Sequence, residues 1–171
     1  MSRIETLLSL LRLLRASGGT LDTRIRLQKE AYLLAISKIA DFRASDFYYH
    51  HYGPYSRSVS DTLQYAVSAG LVSEDRETGD DDSFTKYKYS LTEKASDLLE
   101  QVEPDHADLT RAAVFLRDKN WRALELAATV RFLEINEGLS DRNGALDQAM
   151  SLKPATRGYL DEAKSILTQF G

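Results

Sequence analysis

Two adjacent histidines, His50 and His51, stand in an aromatic segment with Tyr48, Tyr49, Tyr52 and Tyr55. By residue type they are the side chains best suited to move a proton or hold a metal near neutral pH. Their spacing argues against both roles, because neighbours on an extended strand point to opposite faces and cannot chelate one ion together. The third histidine, His106, has no ligand spacing to them. Asp80-Asp81-Asp82 supplies oxygen ligands but lacks the alternate-position oxygens and terminal glutamate of an EF-hand loop. It reads as a solvated hairpin tip, or as acidic charge offered to a basic patch on a partner. Cysteine is absent, which removes disulfides, thiolate metal sites and cysteine nucleophiles. A glycine-rich phosphate loop, an HExxH motif and a Ser/His/Asp arrangement are also missing, so the expectation is no enzyme: no catalytic, cofactor-binding or metal-binding residues.

Binding chemistry is better represented. Val59, Leu63, Ala66 and Val67 share one face of a helical stretch, which turns Arg57, Asp61, Gln64 and Ser68 outward. Arg57 suits guanine and Gln64 suits adenine, whereas Asp61 repels phosphate unless it accepts from a cytosine amino group. Arg24, Arg26 and Lys29, with Arg12 and Arg15 on the preceding helix, form a second candidate surface for phosphates or for an acidic partner. The competing reading is a solvated helix face, and Arg26 has the i,i+4 spacing to pair with Glu30. Tyr52 and Tyr55, with their aromatic neighbours, read first as core and second as an interface patch.

The chain of 171 residues is 43% hydrophobic and 28% charged, the balance of an ordinary folded protein, with a net charge of −4. Charge is uneven along it. Residues 1–70 hold 9 Lys/Arg against 6 Asp/Glu, residues 71–102 hold 4 against 9, and residues 103–171 hold 9 against 11. Only the first part attracts a polyanion. Arg3, Glu5, Arg12 and Arg15 interrupt the leucine-rich start, so a signal peptide or membrane span is not expected and the cytoplasm is the expected location.

The elements that must position these residues follow from periodicity. Ile4, Leu7, Leu8, Leu11 and Leu14 predict a first helix ending at Gly18-Gly19, and Asp22 or Thr23 caps a second helix running to about Ile39. Phe47 to Gly53 reads as one short extended segment, with Pro54 at the first position of a third helix. Leu71-Val72-Ser73 and the alternating Tyr87 to Leu91 predict a hairpin, after which Thr92 caps a helix with Ala95, Leu98, Leu99 and Val102 inside. This order is that of a winged helix-turn-helix domain over residues 1–102. Pro104 marks a boundary, and residues 105–171 read as a helical bundle built on Leu109 to Leu116, an apolar Trp121 to Asn136, Asp141 to Leu152, and Tyr159 to Phe170. The fold class expected is mainly α with a small β-hairpin: a winged helix-turn-helix-like core plus a C-terminal helical bundle.

Arg26-Leu27-Gln28-Lys29, Tyr32-Leu33-Leu34, Tyr52-Gly53-Pro54-Tyr55-Ser56, Ala69-Gly70-Leu71-Val72 and Tyr89-Ser90-Leu91-Thr92-Glu93-Lys94 together resemble the YwgA-like proteins of bacteria and archaea. More distantly they resemble the Panacea antitoxin domain. Leu124 to Leu133 and Leu152-Lys153-Pro154 extend the YwgA-like pattern over most of the chain. The sequence departs from it in Ala95, where glycine commonly follows Thr-Glu-Lys, and in a longer, more acidic hairpin loop. The resemblance implies a winged-helix-like core, an added helical bundle and no catalytic machinery; the Panacea domain implies binding to a partner toxin.

Two functions are therefore expected in order. The first is a non-enzymatic interaction protein that binds and controls a protein partner, toxin-like or defence-associated, favoured by the acidic hairpin. The second is a sequence-specific DNA-binding regulator using Arg57, Gln64 and the basic N-terminal helices, dimeric through its C-terminal helices. An outer face of residues 56–68 buried against the bundle would sink the DNA reading; the same face exposed beside Arg12, Arg24 and Arg26 would revive it.

Overall fold

The structure, a computed structural model, describes residues 2–78, 85–102 and 107–171. The acidic tip Asp80–Asp82, the boundary at Pro104 and His106 lie outside the described residues. The architecture is mainly helical with two small antiparallel sheets.

Helix α1 (Arg3–Ala16) opens with a capping box, in which Ser2 accepts from the Glu5 amide and Glu5 accepts from the Ser2 amide. Strand β1 (Thr20–Asp22) follows, and Thr23 caps α2 (Arg24–Ile36) by accepting from the Arg26 amide. The aromatic segment is not one extended stretch. It is a hairpin of β2 (Phe47–His50) and β3 (Gly53–Ser56), with Tyr48 opposite Tyr55 and His50 opposite Gly53. Pro54 is thus a strand residue, and α3 (Arg57–Ser68) starts three positions later with Ser56 as its cap. The reason is that Pro54 cannot donate to a ladder but sits comfortably at a strand edge, while Ser56 is the better cap.

Strands β4 (Val72–Thr78) and β5 (Thr85–Leu91) form the expected hairpin, but it becomes a three-stranded sheet of order β1-β5-β4, with Leu21 opposite Tyr89. Three residues gave β1 too little periodicity to be recognised in the sequence. Helix α4 (Glu93–Glu100) is capped by Thr92, as expected. Then come α5 (Ala107–Arg117), α6 (Trp121–Asn136), α7 (Arg142–Leu152), a 3-10 turn over Pro154–Tyr159, and α8 (Leu160–Phe170).

Every residue from Ala123 to Val130 is buried, which makes α6 the central helix of the C-terminal segment. That segment does not stand apart: α6 packs on α2 and β3, α5 packs on α1, and one hydrophobic core joins Leu10, Leu33 and Val59 with Leu116, Leu126 and Ile166. Among the described residues no helix is long and apolar enough to cross a membrane.

Candidate interaction surface

The most specific sequence motif builds an internal clamp. Gln28 on α2 reads the backbone of Ser56 in both directions: its Nε2 donates to the Ser56 carbonyl at 3.0 Å, and its Oε1 accepts from the Ser56 amide at 2.8 Å. Lys29 Nζ donates to the Pro54 carbonyl at 2.7 Å. Gly53 lies so close to α6 that a Cβ there would come 2.7 Å from Thr129 Oγ1, and its φ of +91° is strained for any other residue. Leu-Gln-Lys thus supplies the polar groups, and Gly-Pro-Tyr-Ser the backbone, of one contact between α2, β3 and α6. Ser56, held this way, is free to cap α3 through its Oγ, which accepts from the Val59 amide.

The clamp withdraws one candidate binding residue, Lys29, from the surface. Lys29 is 2% exposed, and burial pushes its ammonium down to about 7; Glu125 opposes the shift and Lys153 adds to it. Arg26 is partly buried and donates to the Leu116 carbonyl at 3.1 Å and to the Lys119 carbonyl, so it holds the C-terminal end of α5. It also stands 3.9 Å from Glu30, the pair expected from spacing. Arg24 donates to the Tyr89 hydroxyl at 2.7 Å, lies 4.3 Å over the Tyr87 ring and reaches Glu74 at 3.4 Å. The expected continuous basic surface of Arg24, Arg26 and Lys29 therefore does not form. Within about one and a half helical turns Arg24 reaches the β4–β5 hairpin while staying exposed, Arg26 reaches α5 and Lys29 reaches β3.

Tyr52 is exposed, with Lys153 Nζ 5.9 Å from its ring, and Tyr55 is half-buried against Tyr48 and His50. His50 ends β2 while His51 lies in the following turn, and their rings meet edge to face at 4.9 Å. Among the described residues no three His, Asp or Glu side chains converge as metal ligands.

Helix α3 presents the opposite case. Val59, Leu63 and Ala66 are buried, mainly against α1 and β4, and Arg57, Ser58, Asp61, Gln64, Tyr65 and Ser68 face outward. Arg57 and Asp61 approach at 4.0 Å with both side chains largely in water, a pairing worth under about 1 kcal/mol. Beside them runs the first turn of α1, and the two helices enclose a groove of about 840 Å³ lined by Ile4, Leu7, Arg57, Gln64 and Tyr65 among others. Ile4 is 67% and Tyr65 59% exposed, so an apolar strip lies between polar shoulders. Ile4 and Leu7 belong to the apolar repeat that predicts the first helix. The structure divides them: Leu7 packs partly buried against the core, whereas Ile4, in the first turn, overhangs it. Arg57, Gln64 and Ser68 are brought together here, whereas Arg24, Arg26, Lys29, Tyr52 and Tyr55 are not part of this groove. Tyr65 was missed, and its signal was an aromatic residue next to Gln64 on a face otherwise polar.

The chain is 28% identical over 126 residues to a protein of Bacillus subtilis (strain 168) described as "Uncharacterized protein YwgA". The match covers 74% of this chain and 72% of that protein. It supports the resemblance to YwgA-like proteins. No family model matches the chain. With the YwgA likeness in place, the division of labour in the motif residues is the useful result: Gln28, Lys29, Gly53 and Ser56 hold the fold, and the groove residues lie mostly outside the motifs.

Proposed function

We propose that this chain is a non-enzymatic regulatory protein of the cytoplasm that binds a protein partner through the groove between α1 and α3. The observation that carries the reading is the exposed Ile4–Tyr65 strip flanked by Arg57, Asp61 and Gln64. An apolar centre with a polar rim is the anatomy of a protein interface, and tyrosine and arginine are the residues that anchor one. The acidic outer strand points the same way, since Glu74, Asp75 and Glu77 on β4 are exposed where a DNA-binding wing would carry cations. By resemblance to the Panacea domain, the partner is a toxin-like or defence-associated protein and this chain is its antitoxin-like regulator.

The first hundred residues are read as a winged helix-turn-helix with the β2–β3 hairpin inserted before α3. Support comes from the order α1, β1, α2, α3, β4, β5 and from the strand order β1-β5-β4. In that reading α3 is the recognition helix. Its outward face is exposed, so the specific observation favouring sequence-specific DNA binding as the second reading is the presentation of Arg57, Gln64 and Ser68 to solvent.

The test is affinity capture from the native host with the intact chain and two double variants, followed by reconstitution with purified components. Loss of one stoichiometric protein partner in Ile4→Glu with Tyr65→Ala supports the first reading, provided co-expression of that partner is toxic without this chain. Enriched DNA that is lost in Arg57→Ala with Gln64→Ala, and weakened steeply by salt, would replace it with the second.

A further inference from the structure

A second pocket, of about 300 Å³, lies where the end of α1, β1, α2, β5 and the end of α5 meet. Glu30 forms part of its lining and is wholly buried, yet neither carboxylate oxygen accepts a hydrogen bond from any described residue. The nearest cation, Arg26, stands 3.9 Å away with its donors turned to the Leu116 and Lys119 carbonyls. Burial pushes the Glu30 carboxyl up to about 7, with Arg26 opposing. Ser17 lines the same pocket, and its Oγ is likewise buried without a partner among the described residues. Unpaired buried acceptors are rare in folded proteins, and three such oxygens, on Glu30 and Ser17, belong to the lining of one pocket and call for a donor.

The remaining lining defines what carries that donor. Asp22 is held by Lys86 at 3.1 Å, and Asp118 lies 3.8 Å from Arg117, so neither acid is aimed at Glu30. No three acidic side chains among the described residues converge on a metal. Lys88 and Arg117 also line the pocket and supply only donors, with the Arg117 guanidinium 3.6 Å from the position of a Cβ on Gly18. A complement to this lining carries a cationic nitrogen for Glu30 and an anionic oxygen pair for Lys88 and Arg117, and is small enough for a pocket of about 300 Å³.

We propose that this pocket binds a small amino-acid zwitterion, its ammonium on Glu30 and its carboxylate toward Lys88 and Arg117. The ligand bridges α2 and β5 to α5, joining the N-terminal and C-terminal segments at a point where Arg26 already ties them. Binding stabilises the folded chain by mass action, and that gives the readout.

The experiment takes the full chain and melts it with each proteinogenic L-amino acid at about 10 mM, then titrates those that raise Tm by calorimetry. Methylammonium and acetate, each carrying half of the proposed chemistry, serve as separate probes. The expected result is one-to-one binding of at least one amino acid, with both half-ligands at least about tenfold weaker. Arg117→Ala and Lys88→Ala weaken it by about tenfold without altering the circular dichroism spectrum, and Glu30→Gln abolishes it. If Glu30→Gln fails to fold, the two rim variants decide. The proposal is overturned if no amino acid binds, or if binding survives both rim substitutions.

Discussion

The α2–β3 clamp and the α1–α3 groove are built from similar residues and used in opposite ways. In the clamp, Gln28, Lys29 and Ser56 point inward and pair with backbone groups. In the groove, Arg57, Gln64 and Ser68 point outward and leave their donors to solvent or a partner. Glutamine occurs in both, so residue type does not separate the two roles. Burial does. A buried amide must find partners within the chain, whereas an exposed one is available to another molecule. The most distinctive motif of the sequence is therefore a folding device, and the proposed interaction surface is assembled from residues that carry no motif.

The comparison is broken most severely at Gly53. Gly53→Ala adds a Cβ against Thr129 Oγ1 at a φ of +91°, and a loss of about 3–4 kcal/mol is expected in urea unfolding. Adding Thr129→Ala removes the close contact and recovers only part of that loss, because the backbone strain of about 1–2 kcal/mol stays. Gln28→Ala comes next. It leaves the buried amide and carbonyl of Ser56 unpaired and lowers stability by about 2–3 kcal/mol, again read from the urea midpoint.

The inward-facing charges are expected to make stability depend on pH. Lys29 falls from 10.5 to about 7 in the folded chain, so between those values the unfolded chain binds more protons and stability rises with pH. Glu30 rises from 4.5 to about 7, so across that lower window the folded chain binds more protons and stability falls as pH rises. Together they place a stability minimum near neutral pH. Unfolding titrations of Lys29→Met and Glu30→Gln check this, because the first should flatten the limb above pH 7 and the second the limb below it.

The smallest effect on folding belongs to the groove. Arg57→Ala, Gln64→Ala and Tyr65→Ala should each shift stability by no more than about 0.5 kcal/mol while weakening partner binding. A groove substitution that destabilised the chain as strongly as Gln28→Ala would erase the distinction between the two regions.

Much of this arrangement was legible before the structure. The buried faces of α5 and α6, the caps at Thr23 and Thr92, and the outward side of α3 follow from local periodicity and capping chemistry, which depend on neighbours a few positions apart. The β2–β3 hairpin was read as a single segment because its turn, His51-Tyr52, carries no common turn residue. The candidate site was legible by half: Arg57, Gln64 and Ser68 follow from the helical pattern, but Ile4 and Tyr65 do not.

The sequence by itself determined the helices in outline, the caps at Thr23 and Thr92, the hairpin of β4 and β5, and the apolar sides of α3 and α4, because these depend on spacing along the chain. Only the tertiary structure decided that Lys29 and Arg26 face β3 and α5, that Ile4 overhangs the core, and that Glu30 lines a pocket without a hydrogen-bond partner among the described residues. Those outcomes depend on elements 25 to 93 residues away in the chain, and no local pattern records which distant backbone will arrive to accept a given donor.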